Sequence, residues 1–192
     1  MNRNEDRILQ AALAVVKDHT ISGTRMHLIA ENAQMRQSNL HYYYKTKDDL
    51  MLALQKRVLE KCLEIRAELS QKSEDTFESQ LDIFILQKRA FILEYKEYDF
   101  AELDFWIQGR IYKEIGDGFA ASFASWRREI GEILDKYIPG LDEEVRTFIP
   151  YQIVSMLEGA TIQYLIDEDN FDLDHYFLAC KKMILNAVAP YR

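Results

Sequence analysis

The sequence predicts an all-α protein, with a small N-terminal domain of three short helices and a larger C-terminal helical bundle, about nine helices in total. Apolar residues recur every three or four positions along nearly the whole chain, and no sustained alternation typical of a β-strand interrupts them. Only 7 glycines and 3 prolines occur among 192 residues, too few for the many turns of a β-sandwich. Together, these observations favour a helical fold.

The first three helices are expected within the N-terminal domain, 1–48. Apolar residues between Ile8 and Val16 indicate a first helix over about 6–18, followed by a loop over about 19–23. Thr24 is the predicted N-cap of a short second helix, and a third helix covers about 37–43.

Six longer helices are expected in the C-terminal domain, 49–192. Thr46 is a good N-cap for a fourth helix that reaches about residue 71. A fifth helix opens at Ser73-Glu74-Asp75, and a sixth covers about 99–110. Pro139-Gly140 ends the seventh helix, an eighth spans about 142–167, and Asp172 caps the ninth.

The charges are unevenly distributed along the chain, whose formal net charge is -8. Residues 1–61 contain 10 Lys and Arg against 7 Asp and Glu, whereas residues 62–192 contain 14 against 25. The N-terminal domain is mildly basic and the rest of the chain is acidic. This distribution fits a protein whose N-terminal domain contacts phosphate groups. Chance variation between segments is the alternative, so the residue pattern has to decide.

The stretch from Met26 to Tyr44 has the proportions of a helix-turn-helix motif. Two short helices that cross steeply need an apolar wedge between them, and this stretch contains the following candidates: Ile29, Ala30, Ala33, Met35 and Leu40. The second helix of the motif carries short polar side chains that can reach base edges in a major groove.

These residues resemble the DNA-binding domain of the TetR family of transcriptional repressors. The resemblance runs from Arg7 to Leu54 and includes Gly23-Thr24, Ile29-Ala30 and the aromatic run Tyr42-Tyr43-Tyr44. It implies DNA contacts from the polar residues of the motif and its flanks, namely Arg25, Arg36, Gln37, Ser38, Asn39, His41, Tyr42, Tyr43 and Lys47. Each of these side chains taken singly is also compatible with an ordinary solvated helix surface.

Three residues depart from the family pattern. Gln34 stands where the family usually has glycine, so it must adopt a left-handed conformation or a different turn, at a cost of about 1 kcal/mol. Arg36 replaces a common serine cap, and His41 replaces the usual tyrosine. These changes affect the expected operator sequence and leave the expectation of DNA binding in place.

One such domain covers a single half-site, so the resemblance implies a homodimer on a palindromic operator. The last two helices supply the expected dimer contact, through Ile153, Met156, Leu157, Gly159, Ala160, Tyr164, Cys180, Ile184 and Ala187. Ordinary packing within the domain would use many of the same residues.

The middle helices are rich in aromatic residues, which suits a small-molecule pocket or an ordinary core. The candidate ligand residues are Phe84, Phe91, Tyr95, Glu102, Phe105, Trp106, Phe119, Phe123 and Trp126. Glu102, Asp104 and Glu158 have apolar neighbours, so they would favour a cationic ligand. The alternatives are that they face solvent or pair with Arg127 or Arg128. "FWIQGR" and "FASWRREI" resemble the BetI-like subgroup of the TetR family.

No phosphate loop, catalytic elbow, metal motif or dinucleotide fingerprint occurs, so we expect no enzyme activity, no cofactor and no metal. No apolar run of about 18 residues or signal peptide is present, so we expect a cytoplasmic protein without a membrane partner. We predict a ligand-responsive regulator that a small-molecule effector releases from its operator. The alternative is an all-helical interaction or ligand-carrier protein that no longer binds DNA.

Overall fold

The computed structural model of the chain describes residues 3–192. Nine α-helices and no β-strand lie within that range, as the sequence predicts. The helices are α1 (Arg3–Gly23), α2 (Met26–Asn32), α3 (Gln37–Tyr43), α4 (Lys47–Ser70), α5 (Phe77–Leu93), α6 (Lys96–Gln108), α7 (Lys113–Tyr137), α8 (Glu143–Ile166) and α9 (Leu173–Val188). A single 3-10 turn at Ala189–Tyr191 follows α9. Within residues 3–192, none of the helices combines the length and the apolar character needed to cross a bilayer.

The helices divide into two compact units. The first unit contains the described residues up to Leu63 together with Tyr95–Ala120, and the second contains Glu64–Glu94 and Ala121–Arg192. The first unit therefore holds α1, α2, α3 and α6, and the second holds α5, α8 and α9. Helices α4 and α7 contribute residues to both units.

The core of the second unit is formed by apolar residues from α5, α7, α8 and α9. Phe84, Trp126, Ile153 and Phe177 are among its buried members. Asp172 caps α9 as predicted, because its carboxylate accepts a hydrogen bond from the backbone N–H of His175 at 3.0 Å. Helix α8 runs through Pro150, which is itself buried.

The end of α1 differs from the predicted loop. The helical run continues to Gly23 through a break at Thr20, whose φ of 58° lies in the left-handed region. Thr24 does not cap α2 as predicted, because its hydroxyl is buried and donates to the Thr20 carbonyl at 2.7 Å. Arg25 occupies the N-cap position instead, without a side-chain cap hydrogen bond.

The start of α4 is fixed by a reciprocal pair of hydrogen bonds. The Thr46 hydroxyl accepts from the Asp49 backbone N–H at 3.0 Å, and the Asp49 carboxylate accepts from the Thr46 N–H at 3.0 Å. This is a capping box with aspartate at the third helical position. The prediction that Thr46 caps the fourth helix is therefore confirmed, and α4 has a defined first residue immediately after the motif.

Two other predicted helix starts were wrong by a few residues. Helix α5 begins at Phe77 because Thr76 is its cap, and the Thr76 hydroxyl accepts from the Ser79 N–H at 3.2 Å. Helix α6 begins at Lys96, three residues earlier than expected, and ends at Gln108. Both errors lie at helix ends, where the apolar period carries little information.

Candidate nucleic-acid interface

The turn between α2 and α3 is closed by the two hydrogen bonds of a Schellman motif. The N–H of Gln34 donates to the Glu31 carbonyl, and the N–H of Met35 donates to the Ala30 carbonyl, each at 2.9 Å. Gln34 has φ 53°, so it adopts the left-handed conformation, the first of the two predicted alternatives. The chain therefore keeps a glycine-type turn at the expense of strain at Gln34.

The angle between α2 and α3 is held by a buried apolar wedge, as predicted. Ile29 and Leu40 have no exposed surface, and Ala30 and Ala33 are each 2% exposed. The two alanines are small enough for the helices to approach closely. Because one face of α3 is fixed in this way, its other face must point to solvent.

The solvent face of α3 carries six of the nine residues predicted to contact DNA. All six are exposed: Arg36, Gln37, Ser38, Asn39, His41 and Tyr42. The ring of Tyr42 is 83% exposed and meets the Tyr43 ring edge-on at 5.3 Å between centroids. The His41 ring nitrogen Nδ1 lies 3.1 Å from the Lys45 carbonyl oxygen. This face combines a guanidinium, two carboxamides, a hydroxyl and a phenol, which are groups that read base edges and phosphates.

The other three predicted DNA contacts make hydrogen bonds within the first unit. The Tyr43 hydroxyl accepts from the Asn4 side-chain amide at 2.9 Å, which ties α3 to the start of α1. The Lys47 ammonium donates to the Ile21 carbonyl at 2.5 Å, and burial lowers the pKa of Lys47. Arg25 is exposed, but its guanidinium donates to the Ser22 carbonyl at 2.8 Å. These three side chains help to support the motif.

The segment after the break in α1 is held by further side chains that the sequence pattern did not reveal. The Asp104 carboxylate accepts from the Ile21 backbone N–H, and the Gln108 amide donates to the Ser22 hydroxyl at 2.9 Å. Both residues lie on α6, more than 80 positions further along the chain. No local sequence signal reveals contacts at this separation.

Four of the predicted ligand residues lie in the second unit. Phe84 and Phe123 flank Trp126, with ring centroids 6.2 Å and 6.3 Å away, and Phe91 is fully buried on α5. Among residues 3–192, Gln87 Oε1 and Trp126 Nε1 are buried in this unit without a hydrogen-bond partner. The exposed fractions of Gln87 and Trp126 are only 1% and 7%. The Arg66 guanidinium lies 5.4 Å from the Trp126 ring centroid, so the surroundings of Trp126 combine aromatic rings with a cation.

The remaining five predicted ligand residues lie in the first unit. Phe105 and Phe119 are buried with ring centroids 6.1 Å apart, and Glu102 is also buried. Tyr95 lies under the Lys61 ammonium, 4.3 Å from the ring centroid, and Trp106 is half-buried. The nine residues therefore form separate groups in the two units, and their role in ligand binding stays a prediction.

Glu158 forms a buried ion pair in the second unit. Its Oε2 lies 2.5 Å from Lys88 Nζ, and the two side chains are 8% and 1% exposed. The sequence did not predict this partner, and pairing of Glu158 with Arg127 or Arg128 stays a prediction. The ion pair with Lys88 carries no net charge, so Glu158 no longer supports the expectation of a cationic ligand.

Most of the predicted dimer residues are already enclosed by their own unit. The following five side chains are at most 5% exposed: Ile153, Leu157, Ala160, Cys180 and Ile184. Met156, Gly159 and Tyr164 are half-buried, and Ala187 is exposed. An enclosed side chain adds little area to a contact with a second copy. Burial also raises the pKa of the Cys180 thiol.

A different set of large apolar residues on α8 and α9 is exposed. Their exposed fractions lie between 44% and 77%, and they are Phe148, Tyr151, Ile162, Leu165, Ile166, Leu178 and Met183. Within residues 3–192, no cluster of three or more His, Cys, Asp or Glu side chains is arranged to hold a metal ion.

Comparison with known sequences agrees with this reading of the motif. Residues 8–54 match the family described as bacterial regulatory proteins, tetR family. Over 67 residues the chain is 36% identical to an HTH-type transcriptional regulator in the dhlA 5' region of Xanthobacter autotrophicus. That match covers 35% of this chain and about a third of the relative, 33% of its length. The predicted resemblance to the TetR family is thus confirmed, whereas the BetI-like subgroup stays a prediction.

Solved structures share the fold over nearly the whole chain. A TetR-family regulator from Rhodococcus sp. has a TM-score of 0.78 at 18% identity, with 98% of this chain and 100% of that chain covered. A regulator from Saccharomonospora viridis in complex with choline has a TM-score of 0.82 at 17% identity, with 94% of each chain covered. A Bacillus subtilis regulator in complex with stearoyl-CoA has a TM-score of 0.76 at 14% identity, with 95% and 98% covered.

Proposed function

We propose that the chain is a DNA-binding repressor of the TetR type, which a small-molecule effector releases from a palindromic operator. The match of residues 8–54 to the tetR family of bacterial regulatory proteins supports this proposal. The observation that carries the proposal is the solvent face of α3, which presents Arg36, Gln37, Ser38 and Asn39 on a helix fixed by a buried wedge. A preformed polar helix of this kind fits a major groove without rearrangement.

Base recognition falls to the first turn of α3. In helix-turn-helix proteins, the N-terminal residues of the second helix meet the base edges. Gln37 and Asn39 suit adenine, whose N6 and N7 pair with a carboxamide, and Arg36 suits guanine or a phosphate. Tyr42, at the other end of α3, is placed to contact the DNA phosphate backbone or a thymine methyl group.

Tight binding requires a second copy of the chain. A seven-residue helix such as α3 contacts only one half-site. The surface of one half-site is too small for tight, sequence-specific binding at cellular salt concentrations. We assign the contact between copies to the exposed apolar residues of α8 and α9, because Phe148, Tyr151, Ile162 and Ile166 follow a helical spacing along one stripe of α8. Ser155 and Gly159, both small, lie on the same stripe, and exposed large apolar side chains grouped on one helix face mark an interaction surface.

The effector is proposed to bind in the second unit, near Trp126. Choline and stearoyl-CoA, the ligands of two structures with this fold, differ in charge and size, so the fold itself does not select one chemistry. Gln87 Oε1 lacks a donor and Trp126 Nε1 lacks an acceptor. An effector with an apolar body and a hydrogen-bond acceptor would complete Trp126 Nε1, and one with a donor would complete Gln87 Oε1.

The DNA-binding proposal is tested by affinity for a duplex selected from a random pool by the wild-type protein. Arg36→Ala and Asn39→Ala are each expected to weaken binding about 5-fold to 150-fold, since a lost bidentate base contact costs about 1–3 kcal/mol. Fluorescence anisotropy at fixed salt measures the loss. The matched control is Arg110→Ala, which removes an exposed guanidinium outside α3 and should leave the affinity unchanged.

Equal affinities for the Arg36→Ala, Asn39→Ala and wild-type proteins would contradict the assignment of α3. A wild-type protein that binds no duplex even at low salt, yet still takes up small molecules, would favour the alternative of a helical carrier that no longer binds DNA.

A further inference from the structure

A cavity of about 520 Å³ opens in the first unit, and its lining includes no residue of α3. Its walls come from the end of α1, the first turns of α4, the end of α6 and the beginning of α7. None of the nine candidate effector residues lines it. Its volume lies within the range of small-molecule sites in proteins, about 300–1,000 Å³.

The cavity has an apolar floor and an unusually exposed apolar rim. Ile21, Met51 and Ile115 are buried at its floor, with exposed fractions of 3%, 2% and 5%. On the rim, the side chain of Ile111 is 75% exposed and that of Tyr112 is 43% exposed. Apolar side chains held in water around a hollow gain free energy when an apolar ligand covers them.

Within residues 3–192, the hydrogen-bond partner of the Lys47 ammonium at the cavity is a neutral carbonyl. Lys47 Nζ lies 2.5 Å from the Ile21 carbonyl oxygen, a contact that satisfies a donor without neutralising the charge. Lys113 also lines the cavity, but its ammonium is paired with the Asp117 carboxylate. Asp48 and Glu114 line it too, and both are exposed to water, which solvates their carboxylates.

A nearby anion would stabilise the charged form of the Lys47 side chain. Burial is the largest cause that lowers the pKa of Lys47, and the nearby Arg25 lowers it further. The opposing attraction of Asp48 and Asp104 is smaller than these two effects. A carboxylate placed at Lys47 Nζ would therefore stabilise a cation that the protein itself compensates incompletely.

We propose that this cavity is a second ligand site, which takes a small amphipathic carboxylate. Its carboxylate would bind the Lys47 ammonium, and its hydrocarbon body would cover Met51, Leu52 and Ile111. Such a ligand competes for Lys47 with the Ile21 carbonyl, in the segment that follows the left-handed Thr20. The site goes beyond the effector function proposed for the second unit, because it uses different residues.

The test compares three eight-carbon probes that differ only in their polar group, namely octanoate, octanol and octylamine. Isothermal titration calorimetry with the full chain, in the absence of DNA, should show one octanoate site and at least ten-fold weaker binding of the other two probes. Lys47→Met should weaken octanoate binding at least ten-fold. Lys45→Met, which removes an exposed lysine two positions away, should change it less than two-fold.

A second variant covers the case in which Lys47→Met disturbs the fold. Leu52→Trp keeps Lys47 but fills the cavity, so it should also abolish octanoate binding while thermal unfolding stays cooperative. The proposal would be overturned by a wild type that binds no octanoate, by octanoate binding that both variants retain, or by octanol or octylamine binding that equals octanoate binding and that Lys47→Met weakens equally. Since no DNA is present, these outcomes are independent of the test of operator binding.

Discussion

Replacing Lys88 with methionine is expected to lower the free energy of unfolding by about 3–5 kcal/mol, because it leaves the Glu158 carboxylate buried without its cation. Lys88 is 1% exposed, and its ammonium is 2.5 Å from Glu158 Oε2. Methionine matches the length of the lysine stem, so the loss comes from charge rather than from a cavity. Equilibrium urea unfolding followed by circular dichroism measures the change.

Two controls separate the buried pair from ordinary ion pairs. The first control is Arg89, which follows Lys88 on α5 and forms an exposed ion pair with Asp174 at 2.6 Å. Arg89→Ala should lower the free energy of unfolding by less than about 1 kcal/mol. The double variant Lys88→Met with Glu158→Leu removes both charges and should recover most of the stability. If Lys88→Met lowered the free energy of unfolding no more than Arg89→Ala does, Lys88 and Glu158 would not form the buried ion pair that we describe.

The double variant Ile162→Asp with Ile166→Asp is expected to convert the proposed homodimer into a monomer. These residues are one helical turn apart on α8 and are 44% and 77% exposed in a single chain, so the change should leave folding nearly intact. Two carboxylates on an apolar contact must be desolvated without partners, which costs several kcal/mol. Sedimentation equilibrium over a range of concentrations measures the dimer dissociation constant.

The matched control for the dimer is Ile107→Asp, which charges an isoleucine that is 64% exposed on α6, outside the proposed contact. It should remain dimeric, whereas the α8 variant should also lose operator affinity because each half-site would then be bound separately. A wild-type protein that sediments as a monomer at micromolar concentration, or an α8 variant as dimeric as Ile107→Asp, would rule out this surface.

The motif was the most predictable part of the molecule, since its determinants are local. The apolar wedge of Ile29, Ala30, Ala33 and Leu40 is readable from spacing alone, and α3 has the predicted bounds, 37–43. Even the left-handed turn at Gln34 was one of the two conformations expected from the missing glycine. The motif spans only 19 residues, Met26 to Tyr44, so contacts between near neighbours in the sequence leave few other conformations open to it.

Packing of the later helices was much less predictable. Helix α8 is apolar on several sides, so its sequence does not reveal that Ile153 and Leu157 face the core while Ile162 and Ile166 face solvent. The partner of Glu158 lies 70 positions away on α5, and a single sequence does not reveal pairings at that distance. The contact of Lys47 with Ile21 was unpredictable for the same reason. A lysine in the first turn of a helix has the same local sequence whether its ammonium is in solvent or bound to a distant carbonyl.

The arrangement of two α3 helices on one duplex is tested most directly by hydroxyl-radical footprinting of the wild-type protein on its selected duplex. The proposal predicts two protected patches on one side of the DNA, about 10 base pairs or one turn apart, and their loss in Arg36→Ala with Asn39→Ala. A single patch, or two patches that persist in that double variant, would contradict it.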